Sequence, residues 1–246
     1  MSNRLRIFAV ITFLFGLACL GATKVDAAGS AADQIAAEIL KESGVTGGVI
    51  VDIGCGEGRL TTALCRNDRY VVQGLDVDAQ AIERGQEILY AKGLLGRVTL
   101  RVLKGSRLPF IDNMVNLVVI EKPGLISDSE IMRVLRPLGV VCIATGDGRW
   151  RTERKPWPKE IDEWTHYLHD ATNNAVAKDT VVGPPHHLQW LAGPKRTRDH
   201  DALASLSAMT TSNGRLFYII DEGPTSLTHR PPRWRLVARD AFSGVL

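Results

Sequence analysis

The residues with the clearest chemical meaning are three alternate glycines, Gly54, Gly56 and Gly58, which follow an apolar run that contains Asp52. Glycine accepts positive backbone φ angles and lets the main chain come close to a ligand. The apolar run predicts a buried parallel strand, and a helix beginning at Arg59 would leave unpaired N–H groups beside the turn. Such groups attract a carboxylate or phosphate, so the pattern predicts a turn that binds a nucleotide-like ligand.

A second acid is placed where it could complete this ligand site. Asp76 follows the segment Val71–Leu75, which predicts a second strand. An acid at the carboxyl edge of a parallel sheet can accept hydrogen bonds from ribose hydroxyls. A dinucleotide is disfavoured, because the spacing G-x-G-x-x-G counted from Gly54 would need glycine where Arg59 stands.

The elements that position these residues alternate along the chain. Periodicity predicts strands at Val49, Val71, Val98, Val115 and Val140, and helices from about Asp33, at Arg59, from Ala79 to Lys92 and at Ser129. Such alternation predicts an α/β fold with a doubly wound, mainly parallel sheet. Asp78 is expected to cap the helix from Ala79, and Gly93 is expected to end it.

Together these segments resemble the class I S-adenosylmethionine-dependent methyltransferases, of the methyltransferase type 11-like kind. Two further segments extend the resemblance. Leu108–Asn113 is similar to the "LPF-x-D" loop of that family, and Arg133–Gly139 is similar to its "vLrPgG" turn. The resemblance implies a Rossmann-like sheet, S-adenosylmethionine as the cofactor, and methyl transfer to an unidentified small-molecule or protein acceptor.

The resemblance also implies roles for individual residues. In this family the glycine turn wraps the methionine part of the cofactor, and the acid after the second strand holds the ribose. The cofactor-binding residues expected here are Asp52, Gly54, Gly56, Gly58, Asp76, Ser106 and Glu121. No catalytic residue and no metal ligand can be named. Glu121 is the acid best placed to face a substrate, although Glu121 and Lys122 could equally form an exposed pair.

The chain departs from the family pattern at two polar positions. Lys104 stands where an acid usually meets the adenine amino group, and a lysine side chain offers no acceptor. Asn116 replaces the usual acid of the fourth strand. The two strands that normally complete a seven-stranded sheet are also hard to identify after Ala144, so the sheet is expected to be short.

The first residues predict export. Arg4 and Arg6 precede the apolar run Ile7–Leu20, and small residues follow, which together are typical of a secretory signal peptide over residues 1–28, cleaved near Ala27 or Ala28. The run is shorter than the ~20 apolar residues that span a bilayer. The protein is therefore expected to be periplasmic or secreted. It would be cytoplasmic if the leader does not function, and would touch a membrane only through an uncleaved leader.

Export conflicts with the cofactor, because S-adenosylmethionine is made in the cytosol. Two functional classes therefore stay open. One is an S-adenosylmethionine-dependent methyltransferase, which the glycine turn and Asp76 favour. The other is a non-catalytic exported envelope protein whose degenerate methyltransferase domain is a scaffold, which Lys104 and the leader favour.

The remaining sequence predicts a change of architecture after residues 29–148, the expected methyltransferase-like domain. Residues 149–205 are expected to be a linker region with a Trp/His cluster, in which His166 and His169 would share a face if the segment is helical. Residues 206–246 resemble the start of a quinoprotein-like (pyrroloquinoline-quinone-type) β-propeller through "NGRLFYI" and "RLVARDAFSG". Only one blade would fit, so an incomplete propeller-like β segment is expected.

Charge gives no indication of a nucleic-acid partner. The formal net charge is only +3, and the basic clusters Lys195–Arg198 and Arg230–Arg235 stand beside prolines and glycines. Nucleic acid is bound by a basic face on a recognisable module, whereas isolated basic loops are typical of a solvated surface. No nucleic-acid partner is therefore expected.

Overall fold

A computed structural model describes residues 23–181, 183–184, 188–193, 206–223 and 230–246. The larger unit is a six-stranded sheet in the order β3-β2-β1-β4-β5-β6. Its strands are β1 (Gly48–Ile53), β2 (Tyr70–Asp76), β3 (Val98–Val102), β4 (Val115–Ile120), β5 (Leu135–Ala144) and β6 (Trp150–Arg154). The helices are α1 (Thr23–Ser43), α2 (Arg59–Leu64), α3 (Ala79–Ala91) and α4 (Asp128–Val134). The first five strands are parallel, which confirms the predicted mainly parallel sheet.

The two central strands are buried along their whole length. Every residue of β1 and β4 is buried, because helices cover both faces of a doubly wound sheet. Ile50 packs in a cluster with Ile39 of α1 and Leu64 of α2, whereas Val51 packs with Ile131 of α4. Each such apolar side chain stabilises the fold by about 1.5–3 kcal/mol on burial. The core therefore fixes the ends of β1 and β4, where the chemically interesting residues lie.

The sheet has one strand more than the five predicted and one fewer than the seven of the family pattern, so the expectation of a short sheet holds in part. β6 pairs antiparallel with β5, from Ala144 opposite Trp150 to Val140 opposite Arg154, and so extends the sheet beyond residue 148. Four of its five residues are exposed and most are charged, as expected of an edge strand. The pattern lacks the apolar alternation on which strand prediction depends.

Both ends of α3 lie where the sequence predicts them, whereas the start of α1 does not. The carboxylate of Asp78 accepts hydrogen bonds from the backbone N–H groups of Gln80 and Ala81, and Gly93 follows the helix with φ of +65°. Both predictions for α3 are confirmed. α1 begins at Thr23, earlier than the predicted Asp33. The low helix propensity of Gly29 and Ser30 favours a later start, yet the helix includes both residues.

A smaller antiparallel sheet follows in the order β7-β8-β9. Its strands are β7 (Leu206–Ser212), β8 (Arg215–Asp221) and β9 (Trp234–Asp240). Asn213 and Gly214, both with positive φ, form the tight turn between β7 and β8. The predicted β segment is present, and its continuation into a propeller stays a prediction.

Two sequence predictions fall partly outside the described residues. The basic cluster Lys195–Arg198 lies there, as do residues 1–22, which contain most of the predicted leader. No helix in the described ranges is long and apolar enough to span a membrane.

Candidate functional site

The glycine turn lies at the carboxyl edge of the sheet, between β1 and α2. Gly54, Gly56 and Gly58 have φ angles of +83°, +54° and +75°, in the left-handed region that side chains rarely adopt. A Cβ atom on Gly54 would stand 2.7 Å from Cβ of Lys122, and one on Gly58 would stand 2.6 Å from Cδ2 of Leu100. A Cβ atom on Gly56 would meet nothing within 4 Å. Gly54 and Gly58 therefore permit close packing, and Gly56 is the one that faces open space.

The backbone donors of this turn are largely used within the protein. The N–H groups of Gly54 and Cys55 donate to the carbonyl oxygen of Leu75, and that of Gly58 donates to the carbonyl oxygen of Cys55. The Gly56 N–H donates to Oδ2 of Asp76 at 2.7 Å. The turn itself therefore offers few free N–H groups to a ligand.

Asp76, the predicted ribose ligand, is sealed from solvent at the end of β2. Its Oδ1 accepts the Asp78 N–H at 3.0 Å, and its Oδ2 accepts both the Gly56 N–H and the Nζ of Lys122 at 2.7 Å. Burial alone would raise the pKa of Asp76, but the hydrogen bonds from Lys122, Asp78 and Gly56 lower it below its ordinary value. The hydrogen bond to Asp76 likewise raises the pKa of Lys122. Asp76 is therefore an ionised carboxylate that accepts three hydrogen bonds.

Two further acids, Asp52 and Glu121, lie beside the turn. Asp52 is fully buried near the end of β1, and its Oδ2 accepts a hydrogen bond from Oγ1 of Thr61 at 2.7 Å. Glu121 follows β4, where its backbone N–H donates to the carbonyl oxygen of Ile53. Oδ1 of Asp52 and Oε1 of Glu121 are buried and have no hydrogen-bond donor within the described ranges. These two oxygens can be satisfied either by one proton shared between the two acids, which are within hydrogen-bonding reach of each other, or by a donor from a ligand.

The electrostatics of this pair favour a positively charged partner. Burial and the neighbouring charge of Glu121 raise the pKa of Asp52, and burial raises the pKa of Glu121. Two buried carboxyl groups cannot both ionise cheaply without a cation or a shared proton. Glu121 is therefore not half of an exposed pair with Lys122: its carboxyl oxygen is buried, and Lys122 reaches Asp76 instead.

These residues fit the cofactor that the resemblance implies, with one internal competitor. S-adenosylmethionine carries an ammonium, a sulfonium and a ribose diol. The unsaturated oxygens of Asp52 and Glu121 suit a cationic group, and the open face of Gly56 admits close approach. The Asp76 carboxylate suits the diol, but Lys122 already binds it.

The remaining predicted residues lie on the loop after β3. Ser106 and Lys104 are exposed, and neither makes a hydrogen bond or ion pair with any other described residue. Lys104 lines an open groove of about 520 Å³ between α3 and the end of β3, together with Ile82, Gln86 and Val102. The roles of Ser106 and of this loop stay predictions.

The histidine cluster forms hydrogen bonds within its own loop. His169 is buried with φ of +71°, and its Nε2 lies 2.7 Å from Oδ2 of Asp162. Nδ1 of His166 lies 2.9 Å from Oγ1 of Thr165. The segment is not helical, so His166 and His169 do not share a helix face, and a β-bridge joins them instead. Where the structure describes the chain, no three metal-binding side chains come together.

Sequence reasoning missed the reach of Lys122. It follows β4, which is not a neighbour of β2 in the sheet, so spacing along the chain does not indicate contact with Asp76. The lysine crosses the glycine turn because Gly54 has no side chain to block it. The only sequence signal for this contact is a glycine, which has no side chain, together with a long cationic side chain that can pass over it. That signal is weak.

Comparison with known proteins identifies the domain class. Residues 50–150 match the family model for a methyltransferase domain. Methyltransferase GfsG of Streptomyces halstedii is 26% identical over 129 residues, which cover 50% of this chain and 46% of that protein. The chain thus spans about half the length of this curated relative.

Two solved structures illustrate the similarity. Geranyl diphosphate C-methyltransferase from Streptomyces coelicolor A3(2) is 22% identical with a TM-score of 0.41, over 45% of this chain and 43% of that one. A SAM-dependent methyltransferase from Aquifex aeolicus is 20% identical with a TM-score of 0.39, over 47% of this chain and 71% of that one. Over residues 50–150 the family match agrees with the predicted methyltransferase class and with S-adenosylmethionine as the expected cofactor.

Proposed function

We propose that this protein, whose residues 50–150 form a methyltransferase domain, binds S-adenosylmethionine at the glycine turn and catalyses transfer of its methyl group to an acceptor. The observation that carries the proposal is the buried pair Asp52 and Glu121 beside that turn. A buried acceptor without a donor costs about 1–3 kcal/mol. A cationic ligand that supplies donors to Oδ1 of Asp52 and Oε1 of Glu121 would recover that energy on binding.

The reaction needs little chemistry from the protein. The bound cofactor supplies an electrophilic methyl group. The turn and the Asp52–Glu121 pair would hold its methionine end, and Asp76 would accept hydrogen bonds from its ribose. Rate would then come from positioning the acceptor in line and from excluding water. No general base is assigned, so the acceptor is expected to be nucleophilic without one.

One observation favours the second candidate function, a non-catalytic scaffold. Lys122 already neutralises Asp76 at 2.7 Å, so the predicted ribose site is satisfied within the chain itself. The scaffold role, export by residues 1–28 and the propeller-like continuation belong together as an alternative proposal. The family match and the unsaturated acids favour the enzyme.

Calorimetric titration with S-adenosylmethionine tests the proposal. Gly56→Val should abolish binding, because it fills the open face of the turn and forces a β-branched residue to a φ of +54°. Gly96→Val is the matched control: Gly96 also has positive φ and open space, but it lies between α3 and β3, away from the turn.

The expected result is binding by the wild type and by Gly96→Val, with none by Gly56→Val. No binding by the wild type at millimolar cofactor would refute the enzyme proposal and leave the scaffold. Equal binding by Gly56→Val would show that the ligand uses another site.

A further inference from the structure

The side chain of Lys122 runs across the glycine turn from Gly54 to Asp76. Its Cβ and Cγ stand 2.7 and 2.8 Å from the place where a Gly54 side chain would begin, and its Nζ reaches Oδ2 of Asp76 at 2.7 Å. The lysine side chain is 54% exposed, whereas the Asp76 side chain is 0% exposed. A half-exposed side chain therefore ends on a carboxylate that is closed to solvent.

The other partners of Asp76 cannot leave so easily. Both remaining donors, the N–H groups of Gly56 and Asp78, belong to the backbone of the turns that build the site. A carboxylate offers about four lone-pair positions, and three are occupied here. A ribose diol that binds with two hydrogen bonds needs one more position than is available. Lys122 is the donor that can move without unfolding a turn.

We propose that Lys122 is a displaceable cap on Asp76, so that the lysine ammonium and the ribose of a nucleoside ligand compete for the same carboxylate oxygen. This inference rests on the proposed function. Lys122 then determines affinity: the ligand must break an internal ion pair before it gains the hydrogen bonds of Asp76. Gly54 is part of the same device, since any side chain there would occupy the path of the lysine.

The competing interpretation is that Lys122 and Asp76 form a permanent structural ion pair, a lock, and it predicts opposite results. A lock would keep Lys122 on Asp76 while ligand is bound, and its removal would weaken the site. A cap releases Lys122 to water on binding, and its removal strengthens binding. The partly exposed lysine can turn to water, and the ribose hydroxyls then replace its hydrogen bond to the buried carboxylate.

Calorimetric titration with S-adenosylhomocysteine separates the two interpretations. Lys122→Met should bind about two- to fivefold more tightly than the wild type. Lys122→Gln keeps a donor without the charge and should lie between them. Lys41→Met is the matched control, because Lys41 is an exposed lysine of α1 whose loss changes the net charge equally. Circular dichroism melting confirms that each variant is folded.

A second measurement follows the lysine itself. Reductive methylation with ¹³C-formaldehyde gives each lysine an NMR signal, and the signal missing from Lys122→Met is that of Lys122. Saturating S-adenosylhomocysteine should lower the pKa of Lys122 towards its ordinary value, since the hydrogen bond to Asp76 that raises it is lost.

The outcomes distinguish this inference from the proposed function. Tighter binding by Lys122→Met together with a lowered lysine pKa supports the cap. Binding by Lys122→Met that is equal to or weaker than that of the wild type, or an unchanged lysine pKa at saturation, overturns the cap and leaves the proposed function standing. Absence of binding by both proteins overturns both, because Asp76 is then not a ribose site.

Discussion

Asn116 donates a hydrogen bond from its Nδ2 to Oδ2 of Asp240 at 2.9 Å, although the two residues are 124 positions apart. Its Oδ1 accepts the backbone N–H of Val49 at 2.9 Å, and Nε of Arg136 lies 3.1 Å from the same Asp240 oxygen. The amide thus links the start of β1 in the large sheet to Asp240 at the end of β9. An acid at position 116, as in the family pattern, could not donate to Asp240.

Replacement of Asn116 by aspartate should destabilise the protein by about 1–3 kcal/mol, since it removes a part-buried donor and places two carboxylates together. Urea unfolding at pH 7 measures the effect. The double variant N116D/D240N restores a donor–acceptor pair with the groups exchanged and should recover part of the loss. If the single variant is as stable as the wild type, the hydrogen bond does not hold the two sheets together.

Asp76→Ala should weaken S-adenosylmethionine binding by at least about tenfold, because two charge-assisted hydrogen bonds are lost from a sheltered site. Asp128→Ala is the control, an exposed acid in the first turn of α4. Calorimetric titration at constant salt measures both. An affinity equal to that of the control would remove Asp76 from the ligand site.

The acids Asp52 and Glu121 should make stability fall as pH rises. Burial raises the pKa of both in the folded state, so the folded protein holds protons that the unfolded chain has already released. Their contribution is therefore lost upward from the ordinary carboxyl range near pH 4. Asp76, whose pKa is lowered, contributes in the opposite direction, since its stabilisation is lost as pH falls below that range.

Glu121→Gln should flatten the decline of stability with pH and raise the free energy of unfolding at neutral pH. It should also weaken S-adenosylmethionine binding, because one negative charge that suits the cationic ligand is gone. Urea unfolding between about pH 5 and about pH 8 gives the slope. A pH profile identical to that of the wild type would show that Glu121 carries no raised pKa.

Gly244→Ala should be far more destabilising than Gly148→Ala. Both glycines have positive φ, +71° and +82°, so both variants carry the left-handed strain of about 1–2 kcal/mol. A Cβ atom on Gly244 would also stand 2.5 Å from Cδ2 of Trp190, whereas one on Gly148 would meet nothing within 4 Å. Overpacking adds about 1–3 kcal/mol. Equal melting temperatures would show that Trp190 moves freely.

The sequence predicted those features that depend on local chemistry. The glycine turn, the strand at Val49 and the cap at Asp78 each follow from a few adjacent residues. β6 was missed because an exposed edge strand such as Trp150–Arg154 needs no apolar pattern. The saturation of Asp76 was missed because it depends on Lys122, which is brought near only by the packed sheet.

The hydrogen bond between Asn116 and Asp240 also bears on how the sequence can evolve. β4 begins beside Asn116, at the edge of the sheet that binds the smaller sheet, and ends beside Glu121, at the edge that carries the glycine turn. These edges are separated by a buried strand of six residues, or about 20 Å. Effects of substitutions at such distances are usually additive. The smaller sheet, which is joined through Asp240, can therefore diverge in sequence while the ligand affinity of the glycine turn is selected independently.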